Sequence, residues 1–338
     1  GSVTQAFGHW SPQTLRLIAL ALALLATVLF FSTQIDGYLS ARMFNRISTS
    51  VAVVLPVAVG QAIVVMTRNI DLSVGSILGV VAYVTGQSLG LMPDLHPVLV
   101  LAMAMGIGAL AGAVNGVLVA WGRVPSIIVT LGTLALFRTF LVEYSDAKTI
   151  TTASLPKWLV DLPQVTVFSV AGLDVRVTAI LAVVACAVVG LSLARLRWAR
   201  RFYAVGSNPD AAVMAGINAA RVVFVAFVIS GALAGLSGFI FLAKFGNITV
   251  VAGMGFELKS VAAVVVGGVS IMGGSGSMLG VLMGALLVDT IDNSLTRWDL
   301  VSEFWRDALL GFLIMAAVTV DTFASRSLAR LRAKGGQA

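Results

Sequence analysis

The chain has 338 residues, 59% of them hydrophobic and only 11% charged, with a mean hydropathy of +1.00. That balance leaves a water-soluble globule of this size with far too little polar surface, so the composition excludes a soluble enzyme and indicates an integral membrane protein. The net charge of +7 does not point to nucleic acid, because its densest clusters, Arg195 to Arg201 and Arg326 to Lys334, flank apolar spans as the positive-inside rule expects.

At about 20 apolar residues per crossing, the chain has room for about ten short-looped helices and no separate soluble domain. We therefore expect an all-α membrane protein made of one domain over residues 1–338, with an N-terminal tail over 1–14 and a basic tail over 322–338. Span 1 is expected from Leu15 to Phe31, retained because no basic n-region or small-residue cleavage site accompanies it. Spans 2 and 3, Ile47 to Thr67 and Leu72 to Leu89, are separated only by Arg68, Asn69, Ile70 and Asp71. Span 4, Val98 to Trp121, carries Gly108, Gly112 and Gly116 on one helical stripe, which suits close approach of another backbone. Span 5 runs from Ile127 to Tyr144, and Ser145 to Val177 is a polar connection long enough to cap one side of a bundle.

Span 6, Thr178 to Leu193, leads into the polar stretch Arg195 to Arg221. Four arginines, Arg195, Arg197, Arg200 and Arg201, come first, followed by a helix-start signal. Ser207 or Asn208 suits the cap, Pro209 the first turn, and Asp210 the positive end of the helix dipole. A short helix from Pro209 to Ala215 is expected, stopped by Gly216. Span 7, Val222 to Ala243, has Gly231, Gly235 and Gly238 for close contact. Span 8 is expected over Leu258 to Met272, span 9 over Met278 to Ile291 with Gly280 and Gly284 continuing a stripe from Gly276, and span 10 over Phe304 to Val320. An even number of crossings puts both termini on the side of the Arg195 to Arg201 cluster, and we expect that side to be the cytoplasm.

Four runs stand in order: IDLSVGSILG over 70–79, Val124 to Arg138, YAVGSNPDAAVMAGI over 203–217, and Glu257 to Gly280. With ISGALAGLSGFI over 229–240, they resemble the permease subunits of bacterial ABC sugar importers, the ribose, xylose, galactose, rhamnose and autoinducer-2 group. The likeness covers about Val51 to Val320; Arg68 and Asn69 stand where that family usually has two glycines. It implies a bacterial inner-membrane, multi-pass, non-catalytic permease. The implied partners are ABC ATPase subunits, which hold the ATP and magnesium, a periplasmic solute-binding protein, and a second permease copy or sister permease. It also implies that the segment Ser207 to Gly216, Asn208 included, is a cytoplasmic coupling helix, with Pro209 and Asp210 fixing it and Ala211, Ala212 and Met214 offering a docking surface.

The polar residues inside or beside spans carry two readings. Asp71 and Ser73 belong either to a plain turn, with Asp71 capping span 3, or to a broken helix whose backbone lines a cavity. Asp289, Asp292 and Asn293 share one helix face, either lining a solute path or pairing with Arg297 or Arg306. Asn115 and Arg138 are expected in helix-to-helix hydrogen bonds or on the path. Cys186 is the only cysteine, which excludes a disulfide framework, and no Gly-x-x-x-x-Gly-Lys-Ser/Thr loop is present, so ATP hydrolysis falls to another chain. Gly235-Leu-Ser-Gly238 matches a short intramembrane-protease pattern, but His9 and His96, the only histidines, both lie outside the expected spans.

Overall fold

A computed structural model describes residues 12–298, 302, 305–317 and 319. The expected tails therefore lie outside the described residues except for 12–14, as do residues 304, 318 and 320 of span 10.

Helix α1 (Pro12–Gln34) is followed by α2 (Ala41–Met66), α3 (Val74–Leu91), α4 (Pro97–Ala120) and α5 (Ser126–Ser145). The connection after α5 folds into the 3-10 turn Thr152–Ser154, a one-turn helix α6 (Lys157–Asp161), a second 3-10 turn Leu162–Gln164, and the hairpin β1 (Thr166–Val170) and β2 (Leu173–Arg176). The hairpin pairs Ser169 with Asp174 and turns through Ala171 and Gly172, both at positive φ, as a two-residue reversal requires. Then come α7 (Val177–Arg195), two short helices α8 (Arg201–Ser207) and α9 (Pro209–Met214), α10 (Ala219–Phe245), α11 (Phe256–Val266) and α12 (Met278–Leu295). Residues 305–317 are helical as well.

Two helices form the axis of the bundle. α2 is buried on every side from Val51 to Met66, and α10 is packed against α2, α3 and α4. The α4–α10 crossing is built on the glycines the sequence marks: a methyl group at Gly231 would run into the Gly108 carbonyl and the Gly112 backbone. Large apolar side chains on the outer helices face outward, among them Leu22 and Leu25 of α1, Leu110 and Val114 of α4, and Val184 and Val188 of α7. An outer surface of this kind is matched to lipid rather than water.

Eight helices among the described residues are long and apolar enough to cross a membrane, against the ten expected. Span 8 is the clear correction. α11 stops at Val266, and its 11 residues rise roughly 16 Å, about half the hydrocarbon thickness. Gly267 and Gly268, the latter at φ 86°, end the helix, and Gly273, Gly274 and Gly276 keep the backbone irregular up to α12. The expected tenth crossing is represented by residues 305–317 and 319.

The chain turns at two ends. Residues 67–73, α8, α9 and the Gly273 to Ser277 loop gather at one end. The hairpin and the Ile150–Ile248 backbone pair mark the other, so the long connection forms the cap that its length suggests.

Candidate functional site

The short helix α9 is built as its residues dictate. Asn208 adopts extended backbone (φ −153°, ψ 100°), and its side chain accepts from the Ala211 N–H at 3.0 Å. Pro209 takes the first turn, where no N–H partner is needed, and Asp210 stands beside the helix's positive end. Gly216 closes it at φ 80°, while the Gly216 and Ile217 N–H groups donate back to the Val213 and Ala212 carbonyls. Ser207, Asn208, Asp210, Ala211, Met214 and Gly216 face outward, Met214 with 87% of its surface exposed. Ala212, expected on the docking face, is turned inward and buried, because the helical period places it opposite Met214's face and against the bundle.

Helix α8, which the sequence does not announce with a cap, anchors this foot. Its Gly206 lies so close to the Met66 carbonyl and the Gly274 N–H that no side chain fits there. Gly274 donates its N–H to Met66 at 2.9 Å, and the Tyr203 hydroxyl donates to the Gly276 carbonyl at 2.9 Å. Burial pushes the Tyr203 phenol above its ordinary pKa, so it remains a donor at neutral pH. From the α2–α3 turn, Arg68 donates to the carbonyls of Gly206 and Ser207 at 2.5 and 2.7 Å. A cleft of about 680 Å³ opens between this turn, the α4–α5 turn and α9, lined by Asn69, Trp121, Arg123, Pro209 and Val213.

The irregular backbone after Arg68 runs back along α2 into the protein. Asp71 and Ser73 have no exposed surface. The Gln61 side chain, with its amide oriented to satisfy both partners, donates to the Asp71 carbonyl at 3.0 Å and accepts from the Asp71 N–H at 3.2 Å. Asp71 Oδ1 accepts from the Ser73 N–H and hydroxyl at 2.9 and 2.6 Å, so Asp71 organises the entry into α3 from two residues upstream of the capping position. Asn115 donates to Ser73 Oγ at 2.8 Å and accepts from the Thr133 hydroxyl at 2.7 Å. Non-helical backbone buried in this way survives because protein groups satisfy it.

A second buried group lies along α11 and α12, apart from the first. Lys259 stands 2.6 Å from both Asp289 and Asp292. Asp289 also accepts from Ser50 at 2.9 Å and, through Oδ2, from Asn293 at 3.0 Å. Asp292 pairs further with Arg306 at 3.4 Å, as one expectation held, whereas Arg297 turns to the Met43 sulfur. Lys259 is the residue that sequence reasoning missed. The available signal was a lysine inside an apolar run, which is costly unless a carboxylate meets it. Arg138 bonds the Val250 and Ala252 carbonyls at 3.0 and 2.6 Å, the helix-to-loop version of the expected hydrogen bonding.

Ser237, the serine of the protease-like pattern, is fully buried and donates to the Val53 carbonyl at 2.7 Å. His96 caps α4, its Nδ1 accepting from the Val98 N–H, and His9 lies outside the described residues. The Ser237 hydroxyl is thus used to join α10 to α2. Among the described residues, no group of three His, Cys, Asp or Glu side chains is placed to hold a metal ion.

Fold and site together define a multi-pass helical membrane protein with an ordered polar foot at one end and buried ionic groups between its helices. The model of the family described as branched-chain amino acid transport system/permease component matches residues 43–318, and the chain belongs to this family of membrane permeases. It is similar to the autoinducer 2 import system permease protein LsrC of an Escherichia coli strain, 36% identical over 304 residues that cover 88% of this chain and 85% of the relative. The protein of the same name from an Enterobacter species is 35% identical over 311 residues, 91% of this chain and 88% of the relative. That from Yersinia enterocolitica is 34% identical over 300 residues, 89% and 81% respectively. No solved structure matches the chain.

Proposed function

We propose that this chain is the membrane-spanning permease subunit of an ATP-driven ABC importer, passing a monosaccharide or related small polar solute across the bacterial inner membrane. The observation that carries this reading is identity of about a third with autoinducer 2 import permeases over most of both chains. The family description names branched-chain amino acids, but the relatives and the ordered sugar-permease motifs favour a sugar-like solute. In this reading a periplasmic protein delivers the solute, a second copy or sister permease completes the membrane unit, and separate subunits bind and hydrolyse ATP.

The α8–α9 end faces the cytoplasm in this proposal, and the hairpin end faces outward. The arginines around α8 support that orientation. ATP closes the ATPase pair, α9 takes up the motion through its exposed face at Asp210, Ala211 and Met214, and the bundle changes the side to which it is open. The buried groups Asp71, Ser73 and Asn115, and Asp289 with Asn293, are assigned to helices flanking the path, because polar side chains at membrane depth are costly to keep without a use.

Liposomes holding the permease, its ATPase subunits and the binding protein test the reading. Asp210→Lys reverses the charge at the start of α9 and is expected to leave the protein folded but uncouple uptake from ATP hydrolysis. Full uptake with stimulated hydrolysis in that variant removes α9 as the coupling element. Uptake by the permease alone, driven by an ion gradient, overturns the importer reading.

A further inference from the structure

Arg68 occupies the α2–α3 turn at φ 65°, a left-handed backbone in which a side chain carries a steric cost and glycine does not. Its guanidinium leaves its own turn and reaches α8, where Nε donates to Gly206 and Nη2 to Ser207. These are carbonyls of the last helical turn, which lack intrahelical partners and form the negative end of the helix dipole. The next residue, Asn208, caps α9. One planar fork therefore joins the root of the foot to the turn.

On the other side of Arg68, three residues along the chain, begins the buried network of Asp71 and Ser73 with Gln61, Asn115 and Thr133. That network ties α2, α3, α4 and α5 together inside the bundle. Among the described residues, Arg68 is thus the side chain of this tight turn that bonds α8, the root of the foot, directly. α8 is tied as well to the loop before α12, by Tyr203 to Gly276 and Ser207 to Gly274, and its Gly206 packs on the Met66 carbonyl at the end of α2.

We infer that Arg68 is a positioning residue that passes displacement of α9 into the buried α2–α3 turn, resting on the reading of α9 as the ATPase-coupled element. Two charge-assisted bonds in a rigid fork fix direction as well as distance, which a lysine ammonium does not do. A merely stabilising role would cap α8 without carrying motion beyond it.

The test uses the complex of this permease with its ATPase subunits, with amide hydrogen exchange followed with and without ATP and vanadate. Arg68→Gly keeps the left-handed backbone while deleting the fork, and Arg68→Lys keeps the charge while losing the paired geometry. In the wild type, peptides over 208–216 and over 69–77 are both expected to change exchange on nucleotide trapping. In both variants the 208–216 response persists and the 69–77 response falls about fivefold or more, the lower range of a typical coupling. A 69–77 response of wild-type size in either folded variant overturns the inference, as does a wild type in which 69–77 never responds. A wild type in which 208–216 ignores nucleotide overturns the reading of α9 instead. Should Arg68→Gly fail to fold, Arg68→Lys decides.

Discussion

Lys259 holds two carboxylates at 2.6 Å inside the bundle, and each carboxylate has a different second support. Asp292 retains Arg306 if the lysine is lost, whereas the direct contacts left to Asp289 among the described residues are with the neutral donors Ser50 and Asn293. Removing one partner of a buried pair leaves an uncompensated charge, at a cost of about 3–5 kcal/mol. Lys259→Met is therefore expected to lower the melting midpoint in detergent substantially, and adding Asp289→Asn is expected to recover part of the loss because no buried charge is then unmatched. A double variant less stable than Lys259→Met alone would contradict this account of the group. The pairing was only half legible in the sequence. Asp289, Asp292 and Asn293 share a face by helical spacing, but Lys259 lies on another helix, and only the antiparallel packing of α11 on α12 brings it across. Asn208 was readable for the opposite reason, since a cap is decided by residues two to three positions away.

The helices follow the same division between local and distant causes. Glycines four residues apart marked the α4–α10 contact correctly, because small residues on one stripe have few other uses in a membrane helix. At Gly231 the approach is close enough that Gly231→Val must push the two helices apart, and overpacking of this kind costs about 1–3 kcal/mol. The variant is expected to melt earlier and to expose new cleavage sites under limited proteolysis, while the same change at Gly106, where the added carbon meets nothing, is expected to be silent. Equal stability of both variants would show that the crossing is not close-packed. Span 8 was misjudged because hydropathy continues through Val269 and Met272, whereas the backbone stops being helical at Gly267. Hydropathy reports composition and not backbone conformation, and Gly268, Gly273, Gly274 and Gly276, all at positive φ, break the helix without ending the apolar run. The same blindness hid α8, whose residues RFYAVGS carry no start signal and are held in place by contacts with Met66, Gly274 and Gly276.

In the proposed orientation the end that carries the arginine cluster faces the cytoplasm, and one chemical feature makes this directly measurable. Cys186 is the only cysteine and has 5% of its surface exposed, so it presents little thiol to an aqueous reagent. Met214 is 87% exposed on the foot, and Phe168 is 50% exposed on the hairpin at the opposite end. In a Cys186→Ser background, Met214→Cys is expected to react with a membrane-impermeant maleimide in inverted vesicles and not in right-side-out spheroplasts, with Phe168→Cys showing the reverse. Charge asymmetry across the membrane sets this expectation, since lysines and arginines near span ends are retained on the cytoplasmic side. Adding the ATPase subunits should then shield position 214 and leave position 168 unaffected, because a docked partner excludes reagent only where it sits. Labelling of position 214 from outside the cell would place the foot beyond reach of any ATP-hydrolysing subunit. Labelling from inside without shielding would keep the orientation and remove α9 from the subunit interface.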